Sequence, residues 1–180
     1  MPVVIGATAH GFENPIGLLT DCHRRIERFL GVLSAVAARY NGSRLNEEDA
    51  AALDNALKYF REAAPRHTSD EEESLFPRLR THRQSQVRDA LEQIQGLEDD
   101  HRTAESNHAE VDRLGQLWLS QGQLSQPETL RLRALLTELE TLYRAHIDTE
   151  DRLLFPAAAM VLTEAEKSAI GSEMAKRRRL

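Results

Sequence analysis

A short pattern that combines a histidine, a glutamate and a Leu-Phe-Pro triplet occurs twice in this chain of 180 residues. It reads H-x3-E-x3-L-F-P at residues 67–77 and again at residues 146–156. A lone histidine precedes each copy at nearly the same distance, His23 in the first case and His101 in the second. Each lone histidine has an aspartate two positions before it and an arginine directly after it. The chain is therefore interpreted as two copies of one helical hairpin, related by an approximate twofold axis.

Apolar side chains around these motifs recur at alternating steps of three and four residues, which is the spacing of one buried helix face. Leucine and alanine greatly outnumber valine and isoleucine, and glycine and proline are few. Leu and Ala favour helices, whereas Val and Ile favour strands. The sequence therefore predicts an all-α protein.

The first helical segment is predicted over residues 14–42. Asn14 is suited to the N-cap and Pro15 to the first turn, and the Asn-Gly pair at 41–42 is typical of a helix end. The second segment is predicted to start at a further asparagine, position 46, followed by three acidic residues.

Two prolines interrupt the second segment. Pro65 is expected to kink or break the helix one turn before His67, because proline lacks the N–H that an interior helical position needs. Pro77 is expected to end it.

The second half of the chain predicts two further long segments, over about residues 85–121 and 127–155, and a short tail helix over about 163–176. The basic run at residues 176–179 complements a helix C-terminus and is expected to be solvated. Four amphipathic segments with short connections predict an antiparallel up-down four-helix bundle with a short extra C-terminal helix.

The chain, residues 1–180, is expected to be a single domain. Its bundle is predicted over about residues 14–160, after an extended lead-in at residues 1–13.

Charge and cysteine content exclude several classes of protein. The 23 basic and 29 acidic residues give a formal net charge of −6, and phosphate binding requires a basic face. The single cysteine, Cys22, excludes an internal disulfide and a multi-cysteine metal site. No apolar run approaches the roughly 20 residues that span a bilayer, and the N-terminus lacks the basic flank of a secretory signal. The expectation is a cytoplasmic protein without nucleic-acid or membrane partners, and the sequence leaves open whether it has a protein partner.

The repeat places one histidine on the buried stripe of each predicted long helix. A single inward histidine is ordinarily a hydrogen-bonded core residue. Four of them favour a metal site, because burying ionisable groups is costly unless they are paired or bind a cation. Two glutamates lie one turn after a histidine on the same helix face, so the predicted ligands are His23, His67, Glu71, His101, His146 and Glu150.

Imidazole and carboxylate together suit iron, manganese or zinc. Four histidines suit two metals with terminal imidazoles, joined by bridging Glu71 and Glu150, which holds such ions roughly 3.5–4 Å apart. Iron is preferred because paired iron recurs in helical bundles. The Glu-x-x-His spacing of ferritin-like bundles occurs only at residues 98–101 and 105–108, both on the third segment, so that alternative is weak.

This arrangement resembles the hemerythrin-like (HHE cation-binding) domain family over nearly the whole chain. A lone histidine followed by H-x3-E, twice in order, is the family's signature. The resemblance implies a non-haem di-iron centre in an up-down four-helix bundle, with both glutamates bridging the irons. The expected cofactor is two iron ions with an oxo or hydroxo bridge; manganese and zinc remain alternatives.

Two positions depart from the oxygen-carrying hemerythrins. Those proteins have a second histidine where this chain has Glu105, and an aspartate where it has Glu150. A more anionic or more open coordination sphere is expected to favour reaction with O2, peroxide or NO over reversible oxygen carriage. The alternatives are an iron or oxygen sensor, an iron donor, or a bundle with purely structural metals, so enzymatic turnover stays open.

Three further residues are candidates around the metals. Glu105 is a candidate seventh ligand, with an outer or solvated role as its alternative. His108, about 10 Å along the helix from His101, is expected beside the ligands or in the core. Tyr143, one turn before His146, is expected in the core or facing the metals. No catalytic residue is predicted apart from the metal ligands.

Overall fold

The computed structural model describes residues 10–178, and this part of the chain is helical without any strand. Positions 1–9 of the predicted lead-in, and Arg179 of the basic run, lie outside the described residues. The elements in chain order are α1 (Pro15–Tyr40), α2 (Glu47–Glu62), α3 (Ala64–Ser69), a first π turn (Asp70–Leu75), α4 (Phe76–Leu79), a 3₁₀ turn (Ser85–Val87), α5 (Arg88–Gln121), α6 (Gln126–Thr149), a second π turn (Glu150–Leu154), α7 (Phe155–Val161) and α8 (Glu164–Arg178).

Both predicted ends of the first helix are confirmed. The side chain of Asn14 accepts a hydrogen bond from the Gly17 N–H at 3.0 Å, and Pro15 lies in the first turn. At the other end Asn41 and Gly42 adopt φ angles of 47° and 81°, a left-handed conformation that these two residue types tolerate best.

The break before His67 is confirmed, but the expected end at Pro77 is wrong. Helix α2 ends at Glu62, and α3 begins two residues later with Pro65 in its first turn. Pro77 instead lies in the first turn of α4, and the helical path continues to Leu79. The π turn before Pro77 ends at Leu75, so a new helix, α4, begins at Phe76. Pro77 therefore falls in the first turn of that helix, where a proline is tolerated.

Each copy of the repeat folds into a π turn followed by a proline. The N–H of Phe76 bonds to the carbonyl of Glu71, and the N–H of Phe155 bonds to the carbonyl of Glu150, both five residues back. The proline after each phenylalanine has no N–H to donate, which removes an ordinary helical hydrogen bond at the same point. Such π turns are frequent at functional sites. Here each turn begins at or next to a predicted bridging glutamate.

The long helices α1, α2, α5 and α6 form a ring of neighbours. Helices α1 and α5 each pack against both α2 and α6. Two apolar cores lie along this bundle. One is built around Leu57 and Trp118, and the other is built around Phe76 and Ile94. The candidate ligands lie in the layer between them.

The tail helix, α8, packs against α1, α3 and the first π turn. Arg177 and Arg178 there form ion pairs with the fully buried Asp70, at 2.9 and 2.5 Å. The expectation of a solvated basic run is therefore wrong for these two residues. A buried carboxylate requires a charged partner, and the fold brings the end of the tail to it.

Among residues 10–178, no helix is both long and apolar enough to cross a membrane.

Candidate metal centre

The structure brings all six predicted ligands together in one buried layer. His23 is supplied by α1, His67 by α3, His101 by α5 and His146 by α6, and Glu71 and Glu150 by the two π turns. All six are at most 8% exposed, and both glutamates are fully buried.

Imidazole nitrogens and carboxylate oxygens approach each other across the two halves of the chain. Glu71 has one oxygen 3.3 Å from His67 Nε2 and the other 3.3 Å from His101 Nε2. Glu150 Oε2 lies 3.2 Å from His146 Nε2 and 3.0 Å from His23 Nε2. At 3.0–3.3 Å each glutamate therefore reaches one histidine of its own half and one of the other half, and Glu71 Oε1 also lies 3.9 Å from His23 Nε2.

These contacts define two groups of four that share both glutamates. In each group one ligand atom per residue lies within 4.8 Å of every other. The first group adds His23 and His67 to the glutamates, and the second adds His101 and His146. The rings of each histidine pair are neighbours, with centroids 5.0 Å apart in the first and 4.7 Å apart in the second.

The unsatisfied polar atoms of this layer fit metal cations. Within residues 10–178, no hydrogen-bond partner is found for the four buried oxygens of Glu71 and Glu150 or for the buried Nε2 atoms of His23 and His101. Buried polar groups are normally hydrogen-bonded, so such a concentration requires an explanation. Ligand atoms bound at about 2.0–2.2 Å to one cation lie about 3 Å apart, and the closest carboxylate–imidazole pairs have this separation. The donor set of imidazole and carboxylate suits zinc, iron and related divalent metals.

An outer set of carboxylates holds three of the four rings, and sequence reasoning missed it. Asp151 lies 2.8 Å from Nδ1 of His23, and Glu72 lies 2.8 Å from Nδ1 of His101. A carboxylate on the far nitrogen of a metal-binding imidazole fixes its tautomer and orientation. The available signal was an acidic residue directly after each bridging glutamate in both copies of the repeat.

The third outer carboxylate is Asp100, whose Oδ2 lies 3.2 Å from Nδ1 of His146. The sequence signal for Asp100 was again its position beside a candidate ligand, since Asp100 directly precedes His101. Pairing with a histidine on another helix is a tertiary contact, which neither position reveals alone.

The Leu-Phe-Pro triplets also have a role at the site. The ring of Phe155 stacks on His23 at 5.1 Å, and the ring of Phe76 lies parallel to His101 at 6.3 Å. Each phenylalanine therefore packs against the lone histidine of the other half, which covers the imidazole from its apolar side.

Burial is the largest single influence on the pKa of each of these groups, and for His23 the neighbouring charges outweigh it. Burial and the charge of Glu150 raise the pKa of Glu71 to about 7. For His23 the carboxylates of Asp151 and Glu150 outweigh burial and raise the pKa to about 10. Burial lowers the pKa of His67 well below its ordinary value. Without a cation the layer retains protons near neutral pH, so metal binding is expected to release them.

The three further candidates occupy different places. Glu105 is exposed on α5 and lies outside both ligand groups, so we leave it out of the ligand set. His108 Nε2 and the Tyr143 hydroxyl are hydrogen-bonded at 3.1 Å, and the His108 ring stacks on Phe60 at 4.0 Å. The Tyr143 ring is 6.5 Å from that of His146, so the pair adjoins the ligands without joining them.

A cavity of about 560 Å³ adjoins the candidate metal centre. All four candidate histidines line it, together with the His108–Tyr143 pair and apolar side chains such as Ile26, Leu57 and Val111. Charged residues of α2 and α5, among them Arg61 and Glu105, also line it. This volume lies within the ordinary range for small-molecule pockets.

An all-helical bundle whose central layer holds two groups of two histidines and two glutamates defines a helical cation-binding protein. The chain matches the hemerythrin HHE cation binding domain over residues 14–158. It therefore belongs to this family, and the resemblance read from the sequence is confirmed. A search among curated proteins gave no significant match.

Proposed function

We propose that this protein binds two iron ions at the layer of histidines and glutamates and that the metals react with O2, peroxide or NO. The observation that carries the proposal is the pair of ligand groups that share Glu71 and Glu150. Shared carboxylates are the usual means of holding two metals close together. The proposal includes the up-down antiparallel order of the four long helices and a cytoplasmic location.

In this proposal His23 and His67 hold one ion, His101 and His146 hold the other, and the glutamates bridge them. Iron supplies redox chemistry and Lewis acidity when bound. The outer carboxylates keep Nε2 of His23, His101 and His146 available by accepting from Nδ1, and the stacked phenylalanines cover the apolar side of the ligand layer.

The cavity supports a role with small-molecule partners. Its apolar lining and its contact with the ligand layer give O2, peroxide or NO a space beside the metals. Burial lowers the pKa of His108 to about 4, so its ring is neutral at physiological pH. Burial also raises the pKa of Tyr143, which keeps the hydroxyl protonated. An ordinary hydrogen bond with a single proton therefore joins the neutral Tyr143 Oη and His108 Nε2, next to His146.

Metal analysis of the purified protein tests the cofactor, together with optical spectra before and after reduction and exposure to O2. Two irons per chain and a charge-transfer absorption that reduction removes are the expected results. His67→Ala or His146→Ala should lower both the metal content and the melting temperature, because a ligand that binds only the folded state stabilises it. The exposed His10 supplies the control, since His10→Ala should change neither. Unchanged metal stoichiometry in both ligand variants would overturn the site.

Consumption of O2, peroxide or NO by the reduced protein tests the reaction. Steady turnover supports the proposal, whereas reversible binding of O2 without oxidation of the metals contradicts it.

A second candidate function is metal-dependent sensing, which one contact favours. Asp70, adjacent to Glu71, forms the buried ion pairs with Arg177 and Arg178 of α8. A change at the metals that shifts Glu71 would act on this contact. A metal-dependent change in the protection of α8 from hydrogen exchange, without turnover, would favour sensing.

A further inference from the structure

Three of the four candidate histidines have a carboxylate on Nδ1, and the fourth does not. His23, His101 and His146 are held by Asp151, Glu72 and Asp100. Nδ1 of His67 is buried, and no residue between positions 10 and 178 forms a hydrogen bond with it. His67 as a whole is only 4% exposed. The first ligand group therefore has one unsupported ring, and the second group has none.

The internal repeat identifies the position responsible. Asp151 and Glu72 follow the two bridging glutamates, and each serves the lone histidine of the other half. The third carboxylate, Asp100, directly precedes His101 and serves His146. The residue that directly precedes His23 is Cys22, so by the symmetry of the repeat a thiol stands where a carboxylate serving His67 is expected.

Cys22 has its own contacts. It is buried, and its sulfur accepts a hydrogen bond from Arg25 Nη2 at 3.3 Å. A thiol is a weak acceptor compared with a carboxylate.

The missing carboxylate has a direct consequence for metal binding. When Nε2 of an imidazole binds a cation, the ring proton stays on Nδ1, and an acceptor there fixes the ring and raises its basicity. His67 would bury that N–H without an acceptor. Loss of such an outer partner typically lowers metal affinity by about 10–100-fold.

We infer that the two metal positions are unequal, and that the position of His23 and His67 binds its metal more weakly and releases it first. The inference rests on the proposed function, because it presupposes two metals that share Glu71 and Glu150. The cause is a difference between the two halves of the chain, since the first half has Cys22 at the position where the second half has Asp100.

The test loads the full-length protein with Zn²⁺ and removes the metal with increasing concentrations of a chelator. The wild-type protein should release two zinc ions in two separate steps, with apparent affinities about 10–100-fold apart. His67→Ala should abolish the weaker step and keep the tighter one. A single step with two equal affinities, or loss of the tighter step in His67→Ala, would overturn the inference.

Two matched variants exchange the supporting residues. Cys22→Asp should raise the metal affinity of the weaker position and bring the two release steps closer together. Arg25 is close enough to compensate the new charge. Asp100→Cys should instead weaken the tighter step by about 10–100-fold, and it needs no new charge in the core. If neither variant reduces the difference between the two metal affinities, Cys22 and Asp100 do not cause that difference and the inference fails.

The total zinc content separates this result from the larger proposal. Two zinc ions at saturation with equal affinities would overturn the inequality alone. Fewer than two at saturation would overturn the shared dimetal site, and the inequality with it.

Discussion

His146 lies near the end of one continuous helix, α6, whereas its counterpart His67 lies on α3, a helix of 6 residues separated from α2 by the break before Pro65. The π turn and α4 continue this helical path to Leu79, but the break before Pro65 means that α2 does not extend into it. A helical path that must start anew has little stability of its own, because nucleation is unfavourable. The first half must therefore hold its ligands through contacts from elsewhere in the chain.

The tail helix supplies such contacts, since among the described residues it packs against α1, α3 and the first π turn. Asp70, next to Glu71, is fully buried between Arg177 and Arg178 of α8. Its counterpart in the repeat is Thr149, whose hydroxyl only donates to the carbonyl of Ala145 in the same helix. The two halves thus carry the same kinds of candidate ligand but hold them by different contacts. Substitutions at corresponding positions can test this difference.

The largest expected effect is on metal content, at a residue shared by the two halves. Glu71→Ala should remove metal from both positions, because the carboxylate belongs to both ligand groups. His146→Ala should affect mainly one position. Metal analysis after dialysis measures the difference. Full metal content in Glu71→Ala would show that this glutamate does not bridge.

The next largest effect is on stability, at the contact that only the first half has. Replacing both Arg177 and Arg178 with Ala leaves the buried Asp70 charge unpaired, which should lower the free energy of unfolding by about 3–5 kcal/mol. Thr149→Ala is the matched change in the second half and should stay within about 0.5 kcal/mol. Urea unfolding of the metal-free proteins measures both. Similar losses in the two variants would contradict the unequal support.

A third prediction uses a polar pair that only the second half has. His108 corresponds to Leu30 in the repeat, so His108→Leu makes the halves more alike. Burial lowers the pKa of folded His108 to about 4, whereas the unfolded residue titrates near 6.5. The free energy of unfolding is therefore not reduced by His108 above pH 6.5, where the ring is neutral in both states. It falls by up to about 3 kcal/mol as the pH drops towards 4, because the unfolded ring takes up a proton first. His108→Leu should remove that part of the decline.

Urea unfolding of the metal-free protein at a series of pH values measures the decline. Tyr143→Phe is the control, because it removes the hydrogen bond to His108 and leaves the burial in place. Its pH dependence should match that of the unmodified protein. Equal slopes for the wild-type and His108→Leu proteins would show that His108 titrates normally.

The smallest effect is expected where the halves are alike. Asn46 caps α2 by accepting from the Asp49 N–H at 2.7 Å, and its counterpart Ser125 caps α6 through a reciprocal pair with Glu128. Replacing either cap with Ala should lower the free energy of unfolding by about 1 kcal/mol. Thermal unfolding measures both losses. Effects that differ by several kcal/mol would show that the caps do not act alike.

Much of the fold could be predicted because its signals are local. The Asn14 cap, the Asn41-Gly42 end and the break near Pro65 each depend on one or two residues and their backbone preferences. The misplaced end at Pro77 has a different cause. A proline stops an α-helix, but the turn before it is a π turn whose hydrogen bond closes at Phe76, so the path continues.

The candidate ligands could also be predicted, because the repeat places His and Glu one turn apart on one face. The outer carboxylates could not, since Asp151, Glu72 and Asp100 are ordinary acidic residues until another helix lies beside them. The same limit applies to Arg177 and Arg178, which a sequence presents only as a basic run.

By itself the sequence determined the helices, the repeat, the family and the six candidate ligands, because each is carried by short-range spacing and residue type. The tertiary structure alone decided which histidine pairs with which carboxylate, which ligand segment packs against the tail helix, and which imidazole finds no acceptor in the described part of the chain. These depend on side chains far apart in the chain that meet only when the helices pack. The unsupported ring of His67 therefore became visible only once Cys22 could be compared with Asp100 in the folded layer.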